Sequence, residues 1–407
     1  MAIWKKLSQE EIKTRVFAAL DDNVDYYTEN ILGVPASHLD SKVFNSDEPF
    51  LKEAPFLATL VHNPNHIGCH TLDRSESAFR GTQQIEREVI DLCAHDILRG
   101  SNIDGYVAAG GTEANMQAIW IYRNYFMREH DASIEEIAII SSADTHYSVD
   151  KASNVFMIQQ YKVPVSVEDR EVSADGVRHV IDTAVADGKK YFIVLANMMT
   201  TMFGSVDDPR LYTEDLKSRN LPFKLHIDGA YGGFFFPFAK PDHHLDFSNP
   251  DVSSVTLDAH KMVQAPYGTG IFLVRKGFMH YSQTREASYV EGEDYTLSGS
   301  RSGANAVAIW MILMKYGPYG WREKILVLLN RAQWLSERLD ERGIPYFRQP
   351  FSNIVTIDSK YVLPEVAHDF GMVPDNHHEP RWYKIVIMDH VSVERLEPLV
   401  PLLGTGS

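Results

Sequence analysis

The chain has 407 residues, 44% hydrophobic and 23% charged, with a formal net charge of −16. That length predicts a large domain with a smaller one rather than a single core, and the acidic balance argues against nucleic acid or an anionic membrane surface as partner. No apolar run reaches about eighteen residues, so no transmembrane helix is expected; the N-terminus lacks a secretory pattern; and two cysteines, Cys69 and Cys93, give no disulfide framework and point to a reducing cytoplasm.

Residues 9–30 read as an amphipathic helix, and a Pro/Ser/Asp-rich passage follows to about 55. Together they predict an N-terminal helical arm, 1–55. From 83 to 99, Ile85, Val89, Ile90, Cys93, Ile97 and Leu98 recur at helical spacing before Gly100. Strands and helices then alternate. Strands are predicted at 106–109, 137–141, 191–196, 223–227, 252–257 and 270–275, and helices at 112–130, 147–157 and 209–219. This alternation predicts an α/β large domain, 56–300, with a mainly parallel sheet. Helices at 303–316 and 320–342, strands at 354–357 and 383–388 and a closing helix at 392–402 predict a smaller C-terminal α+β domain, 301–407.

Ligands of open α/β sheets sit at the carboxyl ends of the strands. Three motifs fall at that edge. Gly110-Gly111-Thr112 joins a strand to a helix, where free N–H groups and the helix dipole attract an anion; taken alone it is also an ordinary tight turn. His226-Ile-Asp228-Gly-Ala230 closes one strand, and Asp258-Ala-His260-Lys261-Met262 follows another. A lysine amine that can form a Schiff base, with a carboxylate that can keep a pyridine nitrogen protonated, is the pair that pyridoxal 5′-phosphate (PLP) chemistry needs.

Further residues join this edge. His146, in Asp144-Thr-His146-Tyr-Ser-Val-Asp-Lys151, can lie against the pyridine ring. Thr200 and Thr201 end another strand, where hydroxyls reach cofactor or substrate, and Asp207 caps the next helix or anchors its loop. His62-Asn-Pro-Asn65-His66-Ile-Gly-Cys69-His70 has metal-binding residue types. It lacks a second Cys/His pair at finger spacing and a His-Glu-x-x-His helix, so no metal is expected. A substrate-facing loop carrying Asn65, His66 and His70 is the better reading, and its imidazoles favour an acidic or polar substrate side chain while leaving aromatic ones open.

The chain resembles the group II PLP-dependent amino acid decarboxylases, of the aspartate-aminotransferase fold type I. The likeness is nearest to the branch of bacterial histidine decarboxylase and plant serine decarboxylase. It rests on six motifs in order, at 110–113, 144–151, 200–208, 226–230, 260–262 and 299–301. The resemblance implies Lys261 as the Schiff-base lysine and Asp228 as partner of the pyridine nitrogen. His146 and Ala230 would lie on the two ring faces, with Gly111, Thr112 and His260 at the phosphate. It implies a loop tyrosine, Tyr289 or else Tyr295, as proton donor to Cα, and a homodimer with the active site at its interface. Met199 stands where the branch has Gly, Asp258-Ala259 where it has Ser-Gly, Ser302 where it has Asn and Ala114 where it has Gly, so neither histidine nor serine follows as substrate. The implied reaction converts an L-amino acid to its amine and CO₂. The rivals are an aminotransferase, for which Arg381 is the C-terminal candidate to clamp the carboxylate, and a decarboxylating amine oxidase, against which the presence of Tyr289 leans.

Overall fold

A computed structural model describes residues 3–25, 39–40, 43–44, 48–72, 76–283 and 293–404. The first helix, α1 (Gln9–Asp21), starts at a capping box in which Ser8 and Glu11 satisfy each other's backbone N–H groups. It buries Ile12, Val16, Ala19 and Leu20. Asp22 caps its C-terminal end, so it is shorter than the predicted 9–30, part of which lies outside the described residues. Two short elements follow, α2 (Pro55–His62) and β1 (Asn65–Ile67), before α3 (Arg80–Asp91). The helices α1 and α3 cross so closely that a Cβ on Gly81 would stand 1.9 Å from the carbonyl oxygen of Ala19.

The alternating region runs β2 (Ile103–Ala108), α4 (Gly111–Glu129), β3 (Ile137–Ser142), α5 (Ser148–Phe156), β4 (Gln159–Val163), α6 (Ala174–Ala186), β5 (Tyr191–Asn197), α7 (Pro209–Ser218) and β6 (Phe223–Gly229). A single helical turn, α8 (Phe236–Ala239), precedes β7 (Val252–Asp258) and β8 (Gly270–Arg275). Seven strands form one sheet in the order β2-β8-β7-β6-β5-β3-β4. Strands β4, β3, β5, β6 and β7 are parallel, and β8 runs antiparallel to both of its neighbours. The sheet is therefore α/β and mainly parallel, as expected. Strand β4 and helix α6 lie outside the predicted set.

Past β9 (Ser300–Ser302), which pairs antiparallel with β1, the chain enters α9 (Gly303–Glu341). The predicted pair of helices appears as two rods joined at Gly317, whose φ is 62°, followed by Pro318. Proline lacks the N–H that a continuous helix would use. Residues of α9 through Leu328 belong to the large core, while Ala332, Leu335 and Leu339 join a second core. That second core lies under a four-stranded antiparallel sheet of β10 (Tyr346–Phe347), β11 (Ile354–Asp358), β12 (Val373–Pro374) and β13 (Trp382–Val386). Between β11 and β12 lies α10 (Pro364–Asp369), and the closing helix is a short α11 (Val393–Leu396) rather than 392–402. Among the described residues no helix is long and apolar enough to cross a membrane.

Just past the kink, Trp321 is fully buried, donates its indole N–H to the Phe234 carbonyl at 2.8 Å, and packs edge-on against Phe234 and Tyr316. Trp321→Ala is expected to lower unfolding stability by about 3–5 kcal/mol, read from urea denaturation followed by far-ultraviolet circular dichroism.

Candidate active site

The carboxyl ends of β2, β3, β5, β6 and β7 surround a cavity of about 520 Å³. It is lined by Gly111, Thr112, His146, Thr200, Asp228, Ala230, His260 and Lys261, so the sheet brings together these eight residues from five separate segments. Asp228 ends β6 nearly buried. Its Oδ2 accepts from Asn115 Nδ2 at 2.8 Å and its Oδ1 from the Ala230 backbone N–H at 3.1 Å. Both carboxylate oxygens thus face donors.

Lys261 sits in the turn after β7, its own N–H bonded to the Asp258 carbonyl at 3.3 Å. His146 accepts from the Ser148 N–H at Nδ1 (3.2 Å), which leaves Nε2 to carry the ring proton. Burial lowers the His146 pKa, against the attraction of Asp228, so the ring is neutral at ordinary pH. Thr200 is bonded through its hydroxyl to Ser205 Oγ at 2.7 Å.

The N-terminus of α4 also borders the cavity. A Cβ on Gly111 would come within 3.0 Å of the Ala230 Cβ and 3.2 Å of Asp258 Oδ2, and one on Gly270 within 2.4 Å of the Gly110 backbone. Glycine therefore keeps this corner open. Asp258 links it together: Oδ2 accepts from the Gly111 N–H at 3.0 Å, and Oδ1 lies 2.6 Å from His260 Nδ1. Burial raises the Asp258 pKa, partly offset by His260. A helix N-terminus, a glycine cradle, an imidazole, a bonded carboxylate and a lysine around one cavity are the residue types that the phosphate, pyridine nitrogen and aldehyde of PLP would require.

Several residues were not foreseen from sequence. Asn115, His226 and Ser254 stand behind Asp228. Lys384, on β13, reaches across from the small sheet and donates from Nζ to the Thr201 carbonyl at 2.9 Å, at the rim of the cavity. Burial and the charge of Lys261 both lower its pKa. Met199 lines the cavity with φ 68°, the left-handed region where glycine is at ease, so the departure from the branch's glycine falls where a side chain is strained. Asp207 anchors the end of β5 by accepting from Asn197, and Asp208 is the residue that caps α7.

Other expectations need correction. His66 and His70 do not line this cavity. Their imidazoles are buried around Glu86, at 2.6 Å and 3.3 Å, and His66 also bonds Thr82 at 2.9 Å. Arg301 binds the other Glu86 oxygen and the carbonyls of Val107 and Gly68. Asn65 is half-buried in β1, paired with Ser302. The loop turns inward because a buried carboxylate and guanidinium need partners. Ligand atoms of His66, His70 and Glu86 lie within 4.8 Å of one another, the compactness of a metal site. Here, however, both His66 nitrogens are already bonded and Arg301 supplies the cation. Tyr295 is buried against His280, with its carbonyl accepting from Gln117 and Ser282, and does not line the cavity. Arg381 is exposed and outside the cavity. Tyr289 lies outside the described residues.

Residues 83–352 match the family model described as the pyridoxal-dependent decarboxylase conserved domain. The chain belongs to this family. It is 50% identical to the tryptophan decarboxylase of Clostridium sporogenes (strain ATCC 15579) over 98% of this chain and 97% of that one. It is 31% identical to the histidine decarboxylase of Vibrio anguillarum over 62% of each chain. L-methionine decarboxylase from Streptomyces sp. 590 superposes with a TM-score of 0.73 at 20% identity, covering 96% of this chain and 93% of that one. The protein is a PLP-dependent amino acid decarboxylase, a carboxy-lyase of fold type I.

Glu86→Ala leaves Arg301 buried without a counter-charge and should cost about 3–5 kcal/mol of stability, measured by urea unfolding at pH 7. Burial alone would raise the Glu86 pKa, but Arg301, His70 and His66 hold it well below its ordinary value, while burial lowers His66, His70 and His226. Below the ordinary histidine value of 6.5 the unfolded chain therefore takes up protons that the folded chain refuses, and below 4.5 Glu86 adds to this. Wild-type stability should fall steadily as pH drops through this window, seen as a declining urea midpoint.

Proposed function

We propose that this enzyme decarboxylates L-tryptophan to tryptamine and CO₂. The likeness to a tryptophan decarboxylase, at half of all positions and over nearly the full length of both chains, carries this reading. The cavity supports it. Met116, Met199, Leu297 and Tyr147 contribute apolar surface, and Lys261 is the one Lys or Arg among the described lining residues. An acidic substrate side chain would lack a cation of its own there, and with His66 and His70 buried elsewhere the argument for an acidic substrate falls away.

PLP, when bound, takes up the electron pair left on Cα as CO₂ departs. We assign Lys261 as the residue that bonds the cofactor and Asp228 as the group that keeps its pyridine nitrogen protonated. His146 and Ala230 would hold the ring between them with Thr200 near it, and Gly111, Thr112 and His260 would hold the phosphate. Lys384 orients the substrate carboxylate from the rim, and Tyr289 delivers the proton to Cα. The working enzyme is a cytoplasmic homodimer with its active site at the interface, as the family resemblance implies.

An amino acid panel with amine detection by mass spectrometry should show tryptophan with the highest kcat/KM, and a higher value for any other amino acid overturns the substrate. Lys261→Ala should abolish both turnover and the visible absorption of bound cofactor. Lys384→Met should raise KM for tryptophan about tenfold or more while PLP content stays constant; an unchanged KM would remove Lys384 from this role.

A further inference from the structure

A line of buried polar side chains runs away from the cavity behind Asp228. Asn115 Nδ2 donates to Asp228 Oδ2 at 2.8 Å and to Ser148 Oγ at 3.0 Å. Asn115 Oδ1 faces His226 Nε2 at 3.0 Å, His226 Nδ1 faces Ser254 Oγ at 2.7 Å, and the Tyr122 hydroxyl donates to Ser254 Oγ. Asn115, His226, Ser254 and Tyr122 are each no more than 1% exposed. Of the four, only Asn115 reaches the cavity.

The two ends of an amide are not interchangeable. With Nδ2 turned toward Asp228, Asn115 Oδ1 is an acceptor and requires a donor opposite it. The ring proton of His226 must then sit on Nε2. Nδ1 is left bare and accepts from the Ser254 hydroxyl, which in turn accepts from Tyr122. Every donor in the line points toward Asp228. Burial lowers the His226 pKa to about 4, against the pull of Asp228, so the ring carries a single proton and must choose a nitrogen. The reversed line is also self-consistent, but it differs at both ends: Asn115 would present Oδ1 to Asp228, Asp228 would need a proton of its own, and His226 would carry its proton on Nδ1.

We propose that His226 is a positioning residue whose Nε2–H tautomer fixes the Asn115 amide, so that Asp228 is held as an ionised acceptor for the cofactor's pyridine nitrogen. The proposal rests on Asp228 being the partner of that nitrogen. Thr256, whose hydroxyl lies 3.1 Å from His226 Nε2, completes the enclosure on β7.

Two measurements test it. The first is ¹⁵N NMR of protein labelled at the imidazole nitrogens, with the His226 signal assigned by its loss in His226→Gln. The proposal requires a neutral ring protonated on Nε2 with and without PLP; protonation on Nδ1 would overturn it. The second compares PLP dissociation and the visible spectrum in His226→Leu, which removes the donor, and His226→Gln, whose amide N–H can still serve Asn115. The leucine variant should bind PLP about ten- to a hundredfold more weakly, with a shifted absorption maximum, while the glutamine variant stays within a few-fold of wild type. Equal binding and spectra in the leucine variant would overturn the proposal. Should that variant fail to fold, the tautomer measured in the wild-type protein decides alone: protonation on Nε2 supports the proposal and protonation on Nδ1 overturns it. Asp228→Asn separates the two levels. Unchanged PLP affinity there would refute the role of Asp228 itself, whatever the tautomer.

Discussion

A carboxylate taken out of water must be surrounded by donors or matched by a cation, and Asp228 is such a group. It stands at the end of a central parallel strand, one oxygen on an amide from α4 and the other on the backbone of the turn that follows. On the assignment proposed for Asp228 the chemistry depends on this, because the electron-accepting power of the cofactor depends on a charge held at its ring nitrogen. The fold serves it in a direct way. Parallel strands end at one edge, so Asp228, Lys261 and the α4 turn meet there although more than a hundred residues separate the first of them from the last.

A second buried carboxylate, Glu86, shows the same rule without a cofactor cavity around it. Arg301, His66 and His70 close upon it and tie together α3, β1, β9 and strand β2. This is a structural use of residue types that in another setting bind metal or substrate. The Gly-Ser-Arg segment, one of the motifs carrying the family likeness, thereby acts at a distance from the cavity.

Much of this was legible in the sequence because the deciding signals are local. The alternation of apolar strands and helices gave the mainly parallel sheet, and short motifs at strand ends marked the cavity-lining residues. Strand β4 was harder to see because Gln159, Gln160 and Lys162 fill an edge strand that faces solvent. Helix α6 carries Val177, Val180, Ile181 and Ala184 at helical spacing and was readable by the rule applied elsewhere. Histidines 66 and 70 were misread because nothing local distinguishes a polar loop facing substrate from one facing a buried acid contributed by a helix sixteen residues on. His226 did leave a sign. It lies two residues before Asp228 and so on the same face of the strand, with Ser254 and Thr256 opposite on β7. Lys384 left none, since its approach to Thr201 depends on how the small sheet packs.

The central claim is that Lys261 carries the cofactor at the carboxyl end of this sheet. Borohydride reduction of the PLP-loaded enzyme fixes the cofactor to the amine that holds it, and peptide mass spectrometry then locates the label. The account predicts a phosphopyridoxyl mass on Lys261, accompanied by loss of activity. A label on another lysine, or full reduction with Lys261 unmodified, would contradict it.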